Sequence, residues 1–306
     1  MADQSLVVKV LKNPNKVVKK IKRVVEHNFE DTVRTFAQRH IWSSVINQTE
    51  IRIVGLRRTG NHAIINWLRE QATGVVWHLN NVAPLTNPFR YKCENLQDYF
   101  PQYEQAIARY RSQAKGDFVA KDWLLYSYED YALEQITKSQ FERKHDLYLG
   151  KSAIRYDLLI LRDPFNLFAS RLKNNYLTVS TPPKTLVEMW LDYAQEFVGE
   201  TNYLTNHKIC LNYNRWTIDV DYRQQIAEKL GLKFSDAGID RVGSWGGGSS
   251  FEGQEFDGQA TKMDILNRWK HFQADPKYLQ LVNNRKLYDY SQRIFGSIPG
   301  TESLQL

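Results

Sequence analysis

The chain has 306 residues, 42% of them hydrophobic and 25% charged, which supports a large buried core and excludes disordered and collagen-like chains. Its 41 Lys and Arg against 34 Asp and Glu leave a formal charge of +7. That surplus favours anionic partners (nucleic acid, phosphorylated small molecules or an acidic membrane face) without choosing among them. Two cysteines, Cys93 and Cys210, fit no zinc or redox spacing and exclude a disulfide scaffold, so the expectation is unpaired thiols in a reducing compartment.

The start, Met1-Ala2-Asp3-Gln4-Ser5, carries an acid where a secretory leader needs positive charge. No apolar run approaches the ~20 residues needed to cross a bilayer. A cytoplasmic protein is expected. After the Asn13-Pro14-Asn15 break, Val17, Ile21, Val24, Val25, Phe29, Val33 and Phe36 recur at helical spacing, with Lys16, Lys19, Lys20, Lys22 and Arg23 crowding the first turns. Such a basic amphipathic helix either lies on anionic lipid as a peripheral contact or packs on the body with a solvated basic face. Residues 1–45 are therefore set apart as a basic helical extension, and 46–306 form the main domain.

From Ile51 the pattern alternates. Ile51–Gly55 reads as a strand, Ala63–Leu68 as helix, Gly74–Leu79 as strand and Asn80–Gln97 as loop. Gln102–Ala114 is expected to be helical, Asp117–Ala120 to be the third strand, and Tyr126–Lys144 to be helical. Asp157–Leu161 is a continuous apolar run of the kind buried in a parallel sheet, and Pro164 then opens a helix through Asn174. A helix over Leu186–Thr201, a strand over Lys208–Leu211 and a helix over Asp221–Leu230, stopped by Gly231, complete the series. Strands alternating with helices through short connections mean an α/β domain on a mainly parallel sheet.

Two turns carry the chemistry. The first strand ends in Gly55-Leu56-Arg57-Arg58-Thr59-Gly60-Asn61-His62, with the G-x-x-x-x-G spacing of a phosphate-binding turn between strand and helix. Glycine permits positive φ, and the helix start then points amides at an anion. A nucleoside-triphosphate loop would continue with Lys and Ser or Thr; Asn61 and His62 supply neither, which disfavours a magnesium-dependent kinase. The second turn follows the strongest strand: Arg162 sits at its carboxyl edge, where α/β sheets bind ligands, and Ser170 lies eight residues on.

Together these turns resemble the sulfotransferase family, which takes sulfuryl groups from 3′-phosphoadenosine 5′-phosphosulfate (PAPS) without a metal. The resemblance spans roughly residues 50–275 and implies a three-layer P-loop-like domain. It assigns the 5′-phosphosulfate to Arg57, Arg58, Thr59, Gly60, Asn61, His62 and Ala63, and the 3′-phosphate to Arg162 and Ser170. A glycine loop closing over that phosphate corresponds to Gly246–Phe251, giving Gly247, Gly248, Ser249 and Ser250, though the family's Arg-Lys-Gly form is lacking. Arg268-Trp269-Lys270-His271-Phe272 matches the Trp-Lys-x-x-Phe stretch that follows. Tyr213 stands where the family's nucleotide-contacting Tyr falls, and Asn214-Arg215 depart from that pattern.

For catalysis the resemblance implies Arg58 as a stabilising cation and a base in a Lys-x-His pattern after the third strand. Here Lys121-Asp122-Trp123 stands instead, with Trp at the expected His. Lys121 is expected to neutralise the sulfuryl group and Asp122 to act as base, with His62 as its rival. The expected acceptor is a hydroxyl on a carbohydrate, glycolipid or small metabolite, contacted by Asn80–Gln97 and Leu172–Thr185. The alternatives are a nucleotide-dependent kinase and a catalytically silent nucleotide-binding protein, the latter supported by Trp123. Nucleic acid is not expected, because the charge is spread widely and no reader motif appears.

Overall fold

The computed structural model describes residues 14–37, 44–181, 183–243 and 248–304. Five strands, β1 (Val45–Gly55), β2 (Val76–Leu79), β3 (Lys121–Glu129), β4 (Lys151–Leu161) and β5 (Ile209–Asn212), form one sheet in the order β2-β3-β1-β4-β5. Every pairing is parallel. Alternation fixes two buried faces. Ile51, Ile53, Leu125, Leu158, Ile160, Ile209 and Leu211 point to one; Val54, Leu124, Tyr126, Tyr128, Leu159 and Leu161 point to the other.

Each face is covered by helices. The helix α2 (Asn61–Gln71) buries Ile64, Ile65, Trp67 and Leu68 on the first face. On the opposite face lie α3 (Pro88–Tyr99), α4 (Glu104–Lys115), α5 (Leu133–Ile136), α6 (Ser139–Leu149), α7 (Pro164–Lys173) and α8 (Leu186–Phe197), contributing Phe89, Leu133, Phe141, Phe168 and Trp190 among others. After β5 come α9 (Tyr213–Ile218) and α10 (Val220–Lys229), then α11 (Pro276–Val282) and α12 (Arg285–Phe295). The result is a three-layer P-loop-like α/β domain. Among the described residues no helix is long and apolar enough to cross a membrane.

Three local expectations are corrected. The stretch Asn80–Gln97 is not all loop: Asn87 caps α3, accepting from the Phe89 and Arg90 amides, with Pro88 in the first turn. The third strand runs over Lys121–Glu129, not Asp117–Ala120, so Tyr126–Glu129 is strand and only the later residues are helical. Leu124, Tyr126 and Tyr128 alternate onto one buried face there, between β1 and β2, and that burial decides the conformation.

The N-terminal helix α1 (Pro14–Ala37) is also mounted differently from expectation. Its inner face is charged: Arg34 donates to the carbonyls of Ala114 and Leu147, and Asp31 pairs with Arg90 and accepts from Tyr148. Arg23 makes two bonds to Asp98, and His27 meets Glu94 at 2.9 Å. Val18, Val25 and Phe29 face outward, Phe29 being 70% exposed. Val24, Val25, Phe29 and Val33, which the packing alternative turned toward the body, are thus exposed, and Arg23, Asp31 and Arg34 make the contact with the body instead.

Candidate active site

The carboxyl edge of the sheet opens into a cleft of about 560 Å³, bordered by the β1–α2 turn, the start of α9 and the 248–268 segment. In the turn, Arg58 has φ +71 and Gly60 φ +93. A side chain at Gly60 would strike the Tyr213 ring, whose nearest atom lies 2.0 Å from the Cβ position. Glycine is therefore needed there twice, for its φ and for the close approach of Tyr213. Gly60 also occupies the N-cap of α2 with no side-chain cap. The first intrahelical bond runs from the Ile64 amide to the Gly60 carbonyl. The amides of Asn61, His62 and Ala63 precede it, as the positive end of the helix requires for an anion.

Thr59 departs from expectation. Its side chain is buried and its hydroxyl donates to the Leu56 carbonyl, as its amide does at 3.2 Å, so it closes the turn and does not line the cleft. The turn is braced from behind by Asp130, which accepts from the Arg57 amide at 2.9 Å and holds the buried guanidinium of Arg171 at 2.6 Å.

Across the cleft, Arg162 and Ser170 meet as the eight-residue spacing implies: Nη1 donates to Ser170 Oγ at 3.1 Å. Arg162 also donates to the carbonyls of Arg58 (3.2 Å) and Ile265 (2.5 Å), and it does not pair with Asp163, which caps α7. A third guanidinium, Arg268, joins them. It reaches Ser170 Oγ at 3.4 Å, Ser249 Oγ at 2.7 Å and Glu252 at 2.9 Å. The Nε atoms of both Arg162 and Arg268 are buried with no hydrogen-bond partner among the described residues. Burial, with Arg268 and Arg58 nearby, pulls the Arg162 guanidinium down to about 10, still fully charged at neutral pH. Arg58, Arg162 and Arg268 converge here, with Glu252 bonded to Arg268 and Asp163 and Glu129 close by, and the free Nε donors of Arg162 and Arg268 are what an anion would satisfy.

The glycine–serine loop is bonded to the arginines of the cleft. Arg58 donates to Ser250 Oγ at 2.5 Å and to the Gly248 carbonyl at 3.0 Å, tying the loop to the β1–α2 turn. Gly248 has φ +73, and a Cβ there would meet the Gly253 carbonyl oxygen at 2.2 Å, so both its backbone and its surroundings call for glycine. Gly247 lies outside the described residues. Tyr213 lines the cleft beneath Arg162, whose guanidinium carbon is 5.5 Å from the ring centroid, and stacks on Trp216 at 5.8 Å.

Lys121 and Asp122 are the main correction. They stand at the amino end of β3, Lys121 opposite Asn47 on β1, whereas the cleft lies at the other end beside Gly55 and Glu129. Eight residues of strand, ~26 Å, separate Lys121 from that edge. Lys121 is buried, bonds Gln113 and the Val119 carbonyl, and lies near the rings of Trp77 and Phe89. Asp122 accepts from the Val75 amide at 2.7 Å, a bond to the residue that precedes β2, 47 positions away in sequence. Neither reaches the cleft.

The carboxylate at the cleft edge is Glu129, the last residue of β3, in the stretch Tyr126–Lys144 that was expected to be helical. It lines the cleft, accepts from Asn61 Nδ2 at 3.2 Å, and sits 4.0 Å from His62 Nε2 and 3.9 Å from Arg57. His62 meets Asn80 Oδ1 at 3.2 Å. Only a correct end for β3 would have exposed Glu129; Arg268 was visible in its motif yet unassigned.

No protein-family model matches the chain, and no curated protein matches it. Among solved structures, that of mouse sulfotransferase SULT7A1 complexed with PAP is similar over 88% of this chain and 94% of that chain, with 11% identity and a TM-score of 0.42. At that distance the site has to be read from this chain's own residues.

Proposed function

We propose that the protein transfers a sulfuryl group from PAPS to an acceptor hydroxyl. The observation that carries this reading is the Arg162–Ser170–Arg268 cluster, with its buried, unpartnered Nε atoms, on the same cleft as the uncapped start of α2. Two anion stations on one cleft suit a nucleotide with phosphate on two separate carbons. The cluster would hold the 3′-phosphate. Arg58 and the amides of Asn61, His62 and Ala63 would hold the 5′-phosphosulfate and offset charge as it grows on the bridging oxygen. Asn61 and His62 occupy the positions where a kinase turn needs Lys and a magnesium-binding hydroxyl.

PAPS supplies an activated sulfuryl group: the S–O bond to its phosphate breaks, one to the acceptor oxygen forms, and the acceptor proton must leave. Glu129 is the base in this reading, oriented by Asn61 and within reach of His62. Its place at the end of β3, beside the turn, lets it face an oxygen approaching in line with the donor.

Calorimetric titration with 3′,5′-diphosphoadenosine, 5′-AMP and Mg-ATP tests the donor assignment. Micromolar binding of the diphosphate, with AMP at least about tenfold weaker (~1.4 kcal/mol), supports it. Preference for Mg-ATP, or no binding of any of the three, defeats it. Glu129→Gln should then lower sulfuryl transfer by about 10²–10⁴-fold while leaving nucleotide affinity unchanged.

A further inference from the structure

A second cavity, of about 480 Å³, opens beside the anion cleft and shares His62, Asn80 and Gly243 with it. Its size falls in the ~300–1,000 Å³ range of small-molecule sites. Three cations line it, Arg69 from α2, Lys92 from α3 and Arg109 from α4, and among the described residues no carboxylate does. Lys92 Nζ donates to the Asn80 carbonyl at 2.8 Å, and burial lowers its affinity for a proton. The Arg109 guanidinium lies 4.7 Å from the Trp77 ring centroid. Cations gathered without acids repel one another, and an anionic ligand relieves that cost.

The remaining wall suits a ring. His78 is held neutral, its imidazole pushed down to about 3 by burial, and its Nε2 is buried with no hydrogen-bond partner among the described residues. At the mouth stand Tyr99, 71% exposed, and Phe100, 45% exposed, two flat apolar faces beside the charges. A saccharide presents an apolar ring face for such surfaces and hydroxyls for Asn80, Asn95 and His78. Asn80 marks the junction: its side chain meets His62 and Ser127, and its carbonyl holds Lys92.

We propose that this cavity binds the acceptor and that the acceptor is an acidic carbohydrate, its reacting hydroxyl presented at Asn80 and His62 while a carboxylate or sulfate ester is held by Lys92, Arg69 and Arg109. The acceptor role rests on the sulfuryl-transfer reading. The recognition of acidic sugar does not. On transfer the sugar O–H loses its proton to Glu129, the sugar oxygen gains the S–O bond, and 3′,5′-diphosphoadenosine leaves.

The test is calorimetry on the full chain, with and without saturating 3′,5′-diphosphoadenosine. The probes are uronate disaccharides against their carboxyl-reduced counterparts, and N-acetylglucosamine 6-sulfate against N-acetylglucosamine. Acidic forms should bind at least about tenfold tighter than neutral ones. Lys92→Gln combined with Arg109→Gln should shrink that margin to about twofold with nucleotide affinity unchanged. The uronate and sulfate arms show which anion is held. Equal binding of acidic and neutral forms, no binding by any acidic sugar, or a margin that survives the double variant overturns the proposal. Loss of nucleotide binding with the acidic-sugar margin intact would remove the sulfuryl-transfer reading alone.

Discussion

Replacing Arg268 by Gln separates a binding cation from a structural one. The guanidinium touches Ser170 Oγ, Ser249 Oγ and Glu252, and its Nε has no partner among the described residues. If that Nε and Nη1 serve a bound phosphate, the variant forfeits a charge-assisted contact of about 1.5–3 kcal/mol, or about ten- to 150-fold in affinity for 3′,5′-diphosphoadenosine. AMP lacks the 3′-phosphate, so its affinity should stay within about twofold. The free protein should lose little stability: Glu252 is 20% exposed and can be hydrated, and one repulsive neighbour of Arg162 disappears. Calorimetry with both nucleotides and a urea melt of the free protein read all three quantities. Unchanged diphosphate affinity, or an equal loss for AMP, refutes the 3′-phosphate assignment. A stability loss above about 3 kcal/mol, of the size seen when a buried ion pair is broken, would instead make Arg268 a partner for Glu252.

Lys121→Met should leave nucleotide binding unchanged, because Lys121 lies at the far end of β3. Burial lowers its ammonium to about 8 from an ordinary 10.5, so the unfolded chain binds more protons between those values and stability should rise with pH across that window; urea melts of the variant should lack that rise. On the sheet's amino half, His145 is raised above its ordinary 6.5 despite burial, by Glu50, and Glu50 is held below its ordinary 4.5. The His145 contribution is complete below about 6.5 and lost as pH rises through its raised value; the Glu50 contribution is complete above about 4.5 and lost as pH falls through its lowered value. The contribution of this pair should therefore be greatest near pH 4.5–6.5, and His145→Gln should remove the loss of urea midpoint that its titration causes above that window. The outward apolar stripe of α1 predicts co-sedimentation with vesicles rich in phosphatidylserine and none with neutral vesicles; Phe29→Asp should abolish it, and equal sedimentation with both vesicle types would count against a charge-assisted contact.

Much of the fold was legible because its signals are local. The apolar run before Arg162 can only be a strand buried on both faces, and a G-x-x-x-x-G turn between strand and helix declares itself by spacing. The Arg162–Ser170 pair was legible for the same reason: a strand end and the helix it feeds are joined by two residues, so eight positions fix their proximity. Thr59 shows the limit of such reasoning, since a hydroxyl in a phosphate turn has two partners to choose from, and here the Leu56 carbonyl takes it.

Glu129 was hidden by a register that only tertiary packing sets. Residues Tyr126-Ser127-Tyr128-Glu129 are strand because they pair with Arg52–Gly55 of β1, β2 reaching only as far as Tyr126, and because Tyr126 and Tyr128 are buried. Moving that strand's end from Ala120 to Glu129 transfers the candidate carboxylate from one edge of the sheet to the other, which is why a small error in one element became a large error in chemistry. Arg268 illustrates the complementary case. It lies 98 residues from Ser170, and nothing local says that they touch; yet Arg162 needed company. A lone buried guanidinium bonded to neutral oxygens holds only one positive charge for a doubly charged phosphate. The second cation of the proposed phosphate site comes from elsewhere in the chain, brought by the 3₁₀ turn Arg268–Phe272, which is pinned to α7 through Asn166.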